Sequence, residues 1–165
     1  MTTYNWSALS WTLSTPAANG MVRYVASLPS FNPASDKFVF DDTSISAADI
    51  SMSASVTTSV TFTYYNTSLP SAPIKYELTA SFNYQAITTT NWVFANGSLF
   101  LVGDNTTATS NNPQTTLYDD AANNLPGSSG NDRFFGLGGN DTLTGGSGDD
   151  FFDEWYLPTS LTASF

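Results

Sequence analysis

Three consecutive nine-residue blocks, at 127–135, 136–144 and 145–153, constrain the fold of this chain more than any other feature. Each block has glycine at its first and fourth positions. The sixth position is always aspartate and the eighth always apolar: Asp132, Asp141 and Asp150, then Phe134, Leu143 and Phe152. A single G-x-G-x-D also occurs in flexible glycine-rich linkers, but three copies in one frame predict a structural repeat.

The residues of one block indicate how it folds. Glycine tolerates positive φ, so the first six positions can turn with their carbonyl groups pointing inward, and the last three can form a short strand. If two blocks complete one turn of a roll, residues 18 apart stack, and Asp132 lies over Asp150. Carboxylates stacked at the strand spacing of about 4.8 Å repel unless a cation lies between them. A ring of carbonyl and carboxylate oxygens is the environment that calcium prefers.

The repeat resembles the calcium-binding nonapeptide of the RTX (repeats-in-toxin) family, whose members form a parallel β-roll. The resemblance covers residues 118–162, because imperfect blocks flank the three regular ones. The block at 118–126 has Asn123 and Leu125 at its sixth and eighth positions, and we expect a half-formed coil there. The block at 154–162 has Thr159 and Leu161, and we expect a C-terminal cap without metal ligands.

The resemblance also implies a ligand set. In the family, one turn provides the carbonyls of positions 2 and 4 and the aspartate of position 6, and the turn 18 residues later provides the carbonyls of positions 1 and 3 and its own aspartate. One complete site is therefore implied at Ser128, Gly130, Asp132, Gly145, Ser147 and Asp150. A second site is implied at Asp119, Ala121, Asn123, Gly136, Gly138 and Asp141. The second site departs from the pattern, because an amide replaces one aspartate and its upstream turn lacks glycine, so we expect weaker binding there.

Composition excludes several classes of function. The chain has 165 residues, a net charge of −10, no histidine and no cysteine. Zinc, haem, iron–sulfur clusters and catalysis by cysteine or histidine are therefore excluded or very improbable. Eight of the 14 acidic residues lie at or beyond Asp119 with one basic residue, Arg133. Such a charge argues against a nucleic-acid partner, and its repulsion explains why the roll would stay unfolded until calcium arrives.

The expected location is outside the cell. Weak calcium sites fill at extracellular calcium concentrations, yet the N-terminus shows no Sec-type signal and no segment reaches transmembrane length, so we expect no membrane insertion. Resemblance to the RTX family implies an uncleaved C-terminal signal for type I secretion from a bacterium. The hydroxyl-rich tail at 155–165 fits that description and also fits a hydrophobic cap on the last coil, and it can serve as both.

Alternation of apolar and polar residues dominates residues 1–117. Apolar residues occupy even positions over 51–65 and 74–86, which predicts two half-buried strands paired as a long antiparallel hairpin. We therefore predict an all-β protein, with an antiparallel β-sandwich at 1–117 followed by the roll. One helical turn is expected near 46–49. Shorter strands are predicted at 4–13, 21–27, 37–40, 92–94, 98–102 and 115–118.

Three features of this region have alternative interpretations. The hydroxyl stripe at 57–63 is typical of a solvated sheet face and also of surfaces that bind sugars or ice. The 24 aromatic residues are expected mostly in the core, although some could form sugar-stacking platforms. Asp41, Asp42 and Asp49 form either a solvated loop or a further calcium site.

Three classes of function stay open at this point. An enzyme is the least supported, since only carboxylates such as Glu77 and Asp104 could form an acid–base pair. A calcium-stabilised carbohydrate-binding or adhesin module, with surface polysaccharide as partner, is the second. The long amphipathic strands favour the third, a secreted protein that assembles with itself into a homopolymer or lattice, such as a sheath, fibre, S-layer or biofilm matrix.

Overall fold

A computed structural model describes residues 1–14, 21–28, 30–56, 59–66, 74–82, 84–103, 122–137, 139–153 and 160–164. These residues form an all-β structure with three short 3₁₀ turns, at Trp6–Ala8, Ala47–Asp49 and Tyr84–Ala86. No helix among them has the length and apolar character needed to span a membrane. The strands are β1 (Thr3–Asn5), β2 (Thr12–Ser14), β3 (Val22–Leu28), β4 (Lys37–Phe40), β5 (Ile50–Val56), β6 (Ser59–Asn66), β7 (Ile74–Ala80), β8 (Trp92–Phe94), β9 (Phe100–Val102), β10 (Asn124–Pro126), β11 (Arg133–Phe135), β12 (Asn140–Thr144), β13 (Phe151–Asp153) and β14 (Ser160–Ser164).

The strands before residue 95 form two sheets. Sheet A has the order β1-β4-β8, and both of its pairings are parallel. Sheet B has the order β2-β3-β7-β6-β5, and its pairings are antiparallel except for the parallel pair β3–β7. The chain leaves sheet A for sheet B between β1 and β4 and again between β4 and β8, and all three strands of sheet A run in the same direction.

This pairing corrects the prediction of an antiparallel sandwich. The prediction rested on alternation, which reports that one face of a strand is buried but does not report the direction of its neighbour. The crossovers between sheets A and B make sheet A wholly parallel and sheet B mixed. The predicted pairing of 51–65 with 74–86 is confirmed in part, since β6 and β7 pair antiparallel from Asn66↔Ile74 to Val60↔Ala80.

The single strand predicted at 51–65 is wrong, because the segment forms two antiparallel strands, β5 and β6. From Ile50↔Tyr64 to Ala54↔Val60 the register pairs even positions with even positions, and it then shifts so that Val56 pairs with Ser59. Even positions therefore share a face in most of both strands, and the sequence shows one uninterrupted alternation. Among the other predicted strands, 37–40 and 92–94 match β4 and β8, and the helical turn near 46–49 is confirmed as a 3₁₀ turn. The strand predicted at 115–118 lies outside the described residues.

Sheets A and B enclose the main core. Buried residues of both sheets, among them Phe40, Met52 and Leu78, point inward, and aromatic rings fill much of the space between the sheets. The Trp92 ring lies 4.6 Å from Phe38 and 4.4 Å from Phe62, measured between ring centroids, so it joins the two sheets. Trp6 stacks on Phe40 at 5.2 Å, which places the N-terminal segment in the same core.

The C-terminal region forms the predicted parallel roll. Sheet D has the order β10-β12-β14, and sheet C has the order β13-β11-β9. The 18-residue stacking is confirmed by the pairs Asn124↔Thr142 and Arg133↔Phe151. At β14 the predicted frame is wrong, because Leu143 pairs with Ala163 rather than with Leu161. Two more residues separate these strands than the repeat requires, so the last turn departs from the nonapeptide period.

The roll begins before the tandem repeats. Strand β9, predicted as part of the N-terminal domain at 1–117, pairs parallel with β11 as a further strand of sheet C. The inner face of sheet C lines a small roll core of Leu101, Leu125, Phe134 and Leu143. The outer face, with Phe100, Val102 and Phe135, packs into the main core. The N-terminal region and the repeats therefore both contribute strands to sheet C.

Candidate metal centre

Two stacked loops carry the complete site expected from the sequence, 127–132 before β11 and 145–150 before β13. The N–H of Ser147 donates to the carbonyl of Ser128 at 3.3 Å, and the N–H of Asp132 donates to Oδ1 of Asp150 at 3.0 Å. The N–H of Asp149 donates to Oδ1 of Asn131 at 3.0 Å. The structure thus brings the two halves of the predicted ligand set together, with Asp132 over Asp150.

The aspartate at the sixth position makes the same contact in every turn. Its Oδ1 accepts the N–H of the residue stacked beneath it in the preceding turn: Asp150 from Asp132 at 3.0 Å, Asp141 from Asn123 at 2.9 Å, and Asp132 from Leu99 at 2.6 Å. Leu99 precedes β9 and lies far upstream of the repeats. The ladder of aspartate contacts therefore extends into the N-terminal region. The sequence did not predict this contact, because Leu99 takes part through its backbone N–H and not through its side chain.

The second carboxylate oxygen explains the glycine at the first position of each block. A Cβ on Gly127, Gly136 or Gly145 would come within 3.0 Å of Oδ2 of the aspartate in its own block. For Gly127 and Gly136 these distances are 2.7 Å and 2.8 Å. Glycine at this position therefore leaves room for the carboxylate to turn inward.

Backbone carbonyls complete the oxygen-rich surface between the loops. A Cβ on Gly146 would collide with the carbonyl oxygen of Ser128, and a Cβ on Gly148 would lie 2.5 Å from that of Gly130. Gly146 and Gly148 have φ values of +93° and +118°, a conformation that glycine adopts without strain. The carbonyl oxygen of Gly145 lies correspondingly close to Gly127. Carboxylate and carbonyl oxygens without nitrogen or sulfur ligands fit calcium, which would neutralise the stacked carboxylates of Asp132 and Asp150.

The second predicted site is assembled in part. Asn123, Gly136 and Asp141 come together, and the N–H of Thr142 donates to the carbonyl of Asn123 at 2.8 Å. Asp119, Ala121 and Gly138 lie outside the described residues. Burial raises the pKa of Asp141, and the hydrogen bond from the Asn123 N–H opposes that rise. A buried carboxylate of this kind is stabilised in its charged form by a bound cation.

Two residues of the repeats, Leu137 and Arg133, contact the N-terminal region. Leu137 occupies the second position of its block with φ of +70°, which is costly for a residue with a side chain, but its side chain is buried in the main core. Arg133 is buried, donates to the Ala48 carbonyl at 3.3 Å and to Asp153 at 2.7 Å, and lies 3.9 Å from the centroid of the Phe151 ring. In an isolated roll these two positions would face water. An apolar or a basic residue at such a position was the sequence feature that could have predicted this junction.

The other acidic cluster of the sequence is structural. Asp41 accepts hydrogen bonds from the N–H and hydroxyl of Ser7, and the Ser7 hydroxyl is the main cause that lowers the Asp41 pKa. Asp42 accepts from the N–H of Ser44 at 2.9 Å, and Asp49 forms a capping box with Ser46. These carboxylates stabilise loops, which favours the solvated-loop interpretation over a further calcium site.

Among the residues that the structure describes, no group of three or more acidic side chains converges on one point. A roll site does not need such a group, because each turn contributes one carboxylate and the remaining ligands are carbonyls. Comparison with known proteins agrees with the geometry: residues 119–153 match the RTX calcium-binding nonapeptide repeat, with four copies. Neither the curated proteins nor the solved structures gave a match to the chain. The segment at 119–153 is therefore a set of RTX calcium-binding nonapeptide repeats, and the protein binds calcium.

Proposed function

We propose that this is a secreted, non-catalytic protein that assembles with itself into an extracellular structure, such as a sheath, fibre, S-layer or biofilm matrix, once calcium has folded its roll. The supporting observation is the presence of unpaired sheet edges. Among the described strands, β1 pairs only with β4, and β14 pairs only with β12. Both belong to parallel sheets, so a second copy can add a strand in the same direction at either edge.

Parallel addition at two different edges is a heterologous contact. Each copy would use one edge to bind the previous copy and the other to bind the next, and such contacts produce filaments unless the rotation closes a ring. Calcium belongs to this proposal because β14 is held by β12, and β12 itself carries Asp141. Without the ion, the downstream edge would not be ordered.

Secretion of the unfolded chain, followed by folding in calcium outside the cell, also fits this proposal. The tail predicted as a type I secretion signal contains β14, which is paired into sheet D. A signal in that position is accessible in the unfolded chain and is incorporated into the roll after folding. Low calcium inside the cell and high calcium outside would separate the two states.

The alternative is a carbohydrate-binding or adhesin module. A platform for sugar rings would require exposed aromatic faces lying in one plane. The large exposed aromatic residues among those described are Tyr65 and Phe151, which lie on different sheets. The aligned rings of Tyr24, Tyr76 and Tyr64 are only half-exposed and stack on one another at 5.5 Å and 6.1 Å, so their faces are already covered. This arrangement favours assembly over sugar binding.

A catalytic role has little support in the same residues. Glu77, one of the carboxylates available for acid–base chemistry, forms ion pairs with Arg23 and Lys75. Burial opposes ionisation of Glu77, but the hydrogen bonds from Lys75 and Arg23 prevail and lower its pKa. A carboxyl group whose pKa is lowered in this way stays ionised and is a poor general acid. Asp104 lies outside the described residues.

The test changes the edge strand without touching the core. Trp6 is buried in the main core, so deletion of the N-terminal segment would unfold the protein. Thr3 in β1 is exposed instead, and a lysine at an edge strand discourages pairing. In millimolar calcium, sedimentation should show assemblies for the wild type and their loss for Thr3→Lys. Thr79→Lys places the same change on the exposed face of the central strand β7 and should assemble normally. A wild-type chain that stays monomeric in calcium at every accessible concentration would overturn the proposal and favour the sugar-binding alternative.

A further inference from the structure

We propose that Gly103, the residue after β9, is part of the second calcium site, so that the ion bound there joins the N-terminal region to the roll. The nonapeptide frame places Tyr118 one turn before Gly136. The structure places Gly103 there, because β9 is the strand that pairs with β11. The Gly103 N–H donates to the carbonyl of Phe135 at 2.8 Å, which continues the ladder of sheet C into the loop.

Oxygen atoms from separate segments converge beside this glycine. A Cβ on Gly103 would collide with Oδ1 of Asn123 and would lie 2.5 Å from the carbonyl oxygen of Gly136. A Cβ on Gly136 would in turn lie 2.8 Å from Oδ2 of Asp141. An amide oxygen, a carbonyl oxygen and a carboxylate oxygen therefore surround two adjacent glycines, one from each region of the molecule.

The carboxylate in this group is largely buried and has no ion-pair partner among the described residues. Asp141 and Asn123 are each 3 % exposed. Within the described part of the chain, the hydrogen-bond donor to Asp141 is the N–H of Asn123, which binds Oδ1, and the ion pairs found there do not include Asp141. Burial of a carboxylate charge is costly unless the charge is paired. A divalent cation with a preference for oxygen ligands removes that cost, and calcium meets this description.

The position of Gly103 gives the site its role. The complete site at Asp132 and Asp150 joins two turns of the tandem repeats. The second site contains Asn123 and Asp141 from the repeats and borders Gly103 from the end of β9. Loading of the second site therefore fixes β9 against β11 and joins the main core to the roll. This inference concerns calcium binding and does not depend on whether the protein assembles.

Three single substitutions in the full chain test the inference by calorimetric titration with calcium chloride. Gly103→Ala should weaken the second site at least tenfold and leave the complete site unchanged. Gly127→Ala is the matched control, since its Cβ would meet Asp132 and Gly145 in the complete site, and it should produce the opposite pattern. Asn123→Asp should tighten the second site at least tenfold, because it supplies the second carboxylate that the complete site already has.

Hydrogen exchange provides a readout of the junction itself. In the wild type, calcium should protect the amide of Gly103, and in Asn123→Asp this protection should appear at a lower calcium concentration. If Gly103→Ala does not fold, as judged by circular dichroism, the Asn123→Asp variant decides. Unchanged affinity in Asn123→Asp, or protection of Gly103 that does not depend on calcium, would show that the ion does not bridge the two regions.

Discussion

The N-terminal sheets and the roll both bury short strands, but they do so by different physical means. Sheets A and B enclose a wide core filled by aromatic rings, in which Trp92 contacts both Phe38 and Phe62. The roll encloses a narrow core of single aliphatic or aromatic residues such as Leu125, Phe134 and Leu143. We therefore expect the first region to be stable without metal, and the second to depend on cations that offset its stacked carboxylates.

The difference shows where calcium acts. The two regions share sheet C, whose inner face belongs to the roll and whose outer face belongs to the main core. Asn131 in the first loop of the roll accepts the N–H of Ala48 at 3.1 Å, and Ser98, next to β9, accepts the N–H of Ala47 at 2.8 Å. An ion that orders the roll therefore also orders sheet C, whose outer face covers one side of the main core.

The largest expected effect is that of removing calcium. Chelation should unfold the roll and lower the free energy of unfolding of the N-terminal sheets, while leaving those sheets folded because most of the main core comes from residues 6–94. Each site contributes about 2.7 kcal/mol when calcium exceeds its dissociation constant 100-fold. Urea unfolding with calcium and with chelator, followed by hydrogen exchange of β7 and β11, measures both regions. Identical unfolding curves in chelator and in about 10 mM calcium, far above the weak extracellular class of sites, would contradict the prediction.

A pair of core substitutions separates the two regions. Phe62→Ala and Phe134→Ala each remove a fully buried ring and should each cost about 3–5 kcal/mol in calcium. In chelator, Phe134→Ala should cost almost nothing, since the roll is already unfolded, whereas Phe62→Ala should keep its full cost. The measurement is the denaturation midpoint of each variant under both conditions. An equal cost for Phe134→Ala with and without calcium would mean that the roll folds without the ion.

The ligands themselves should be unequal. Asp132→Ala and Asp150→Ala each remove a carboxylate from the complete site and should lower its calcium affinity at least tenfold, about 1.4 kcal/mol. Asn123→Ala removes a neutral ligand from the second site and should have a smaller effect. Asp42→Ala is the control, because Asp42 stabilises an exposed loop in the N-terminal region. Calorimetry that finds all three ligand variants equivalent would disprove the assignment of complete and second sites.

The smallest expected effect is electrostatic and confined to sheet B. The ion pairs with Arg23 and Lys75 lower the pKa of Glu77, so its stabilisation is present above the ordinary pKa of glutamate and is lost as pH falls through the lowered value. Since these side chains are partly exposed, Glu77→Gln should cost about 0.2–1 kcal/mol at pH 7. Below the lowered pKa the variant and the wild type should have equal stability. A difference that persists at low pH would show that Glu77 acts through packing rather than charge.

The sequence by itself determined the roll and its main site. Aspartates 18 residues apart, glycines at fixed positions and one apolar residue per block leave few alternative structures, because each repeat specifies its own local backbone. The prediction therefore placed Asp132 over Asp150, and the structure places the apolar Phe134 of the same repeat in the roll interior. Alternation likewise identified the buried faces of β6 and β7, since a period of two follows directly from strand geometry.

Apart from the pairing of β6 with β7, only the tertiary structure decided the partners of those strands. The reversal between β5 and β6 left no mark in the alternation, and the parallel order of sheet A arises from crossovers that no local pattern encodes. The pairing of β9 with β11, the hydrogen bond from Leu99 to Asp132 and the place of Gly103 next to Gly136 join residues that are distant in the chain. Such contacts depend on the total packing of both cores, whereas a repeat is fixed by residues close in sequence.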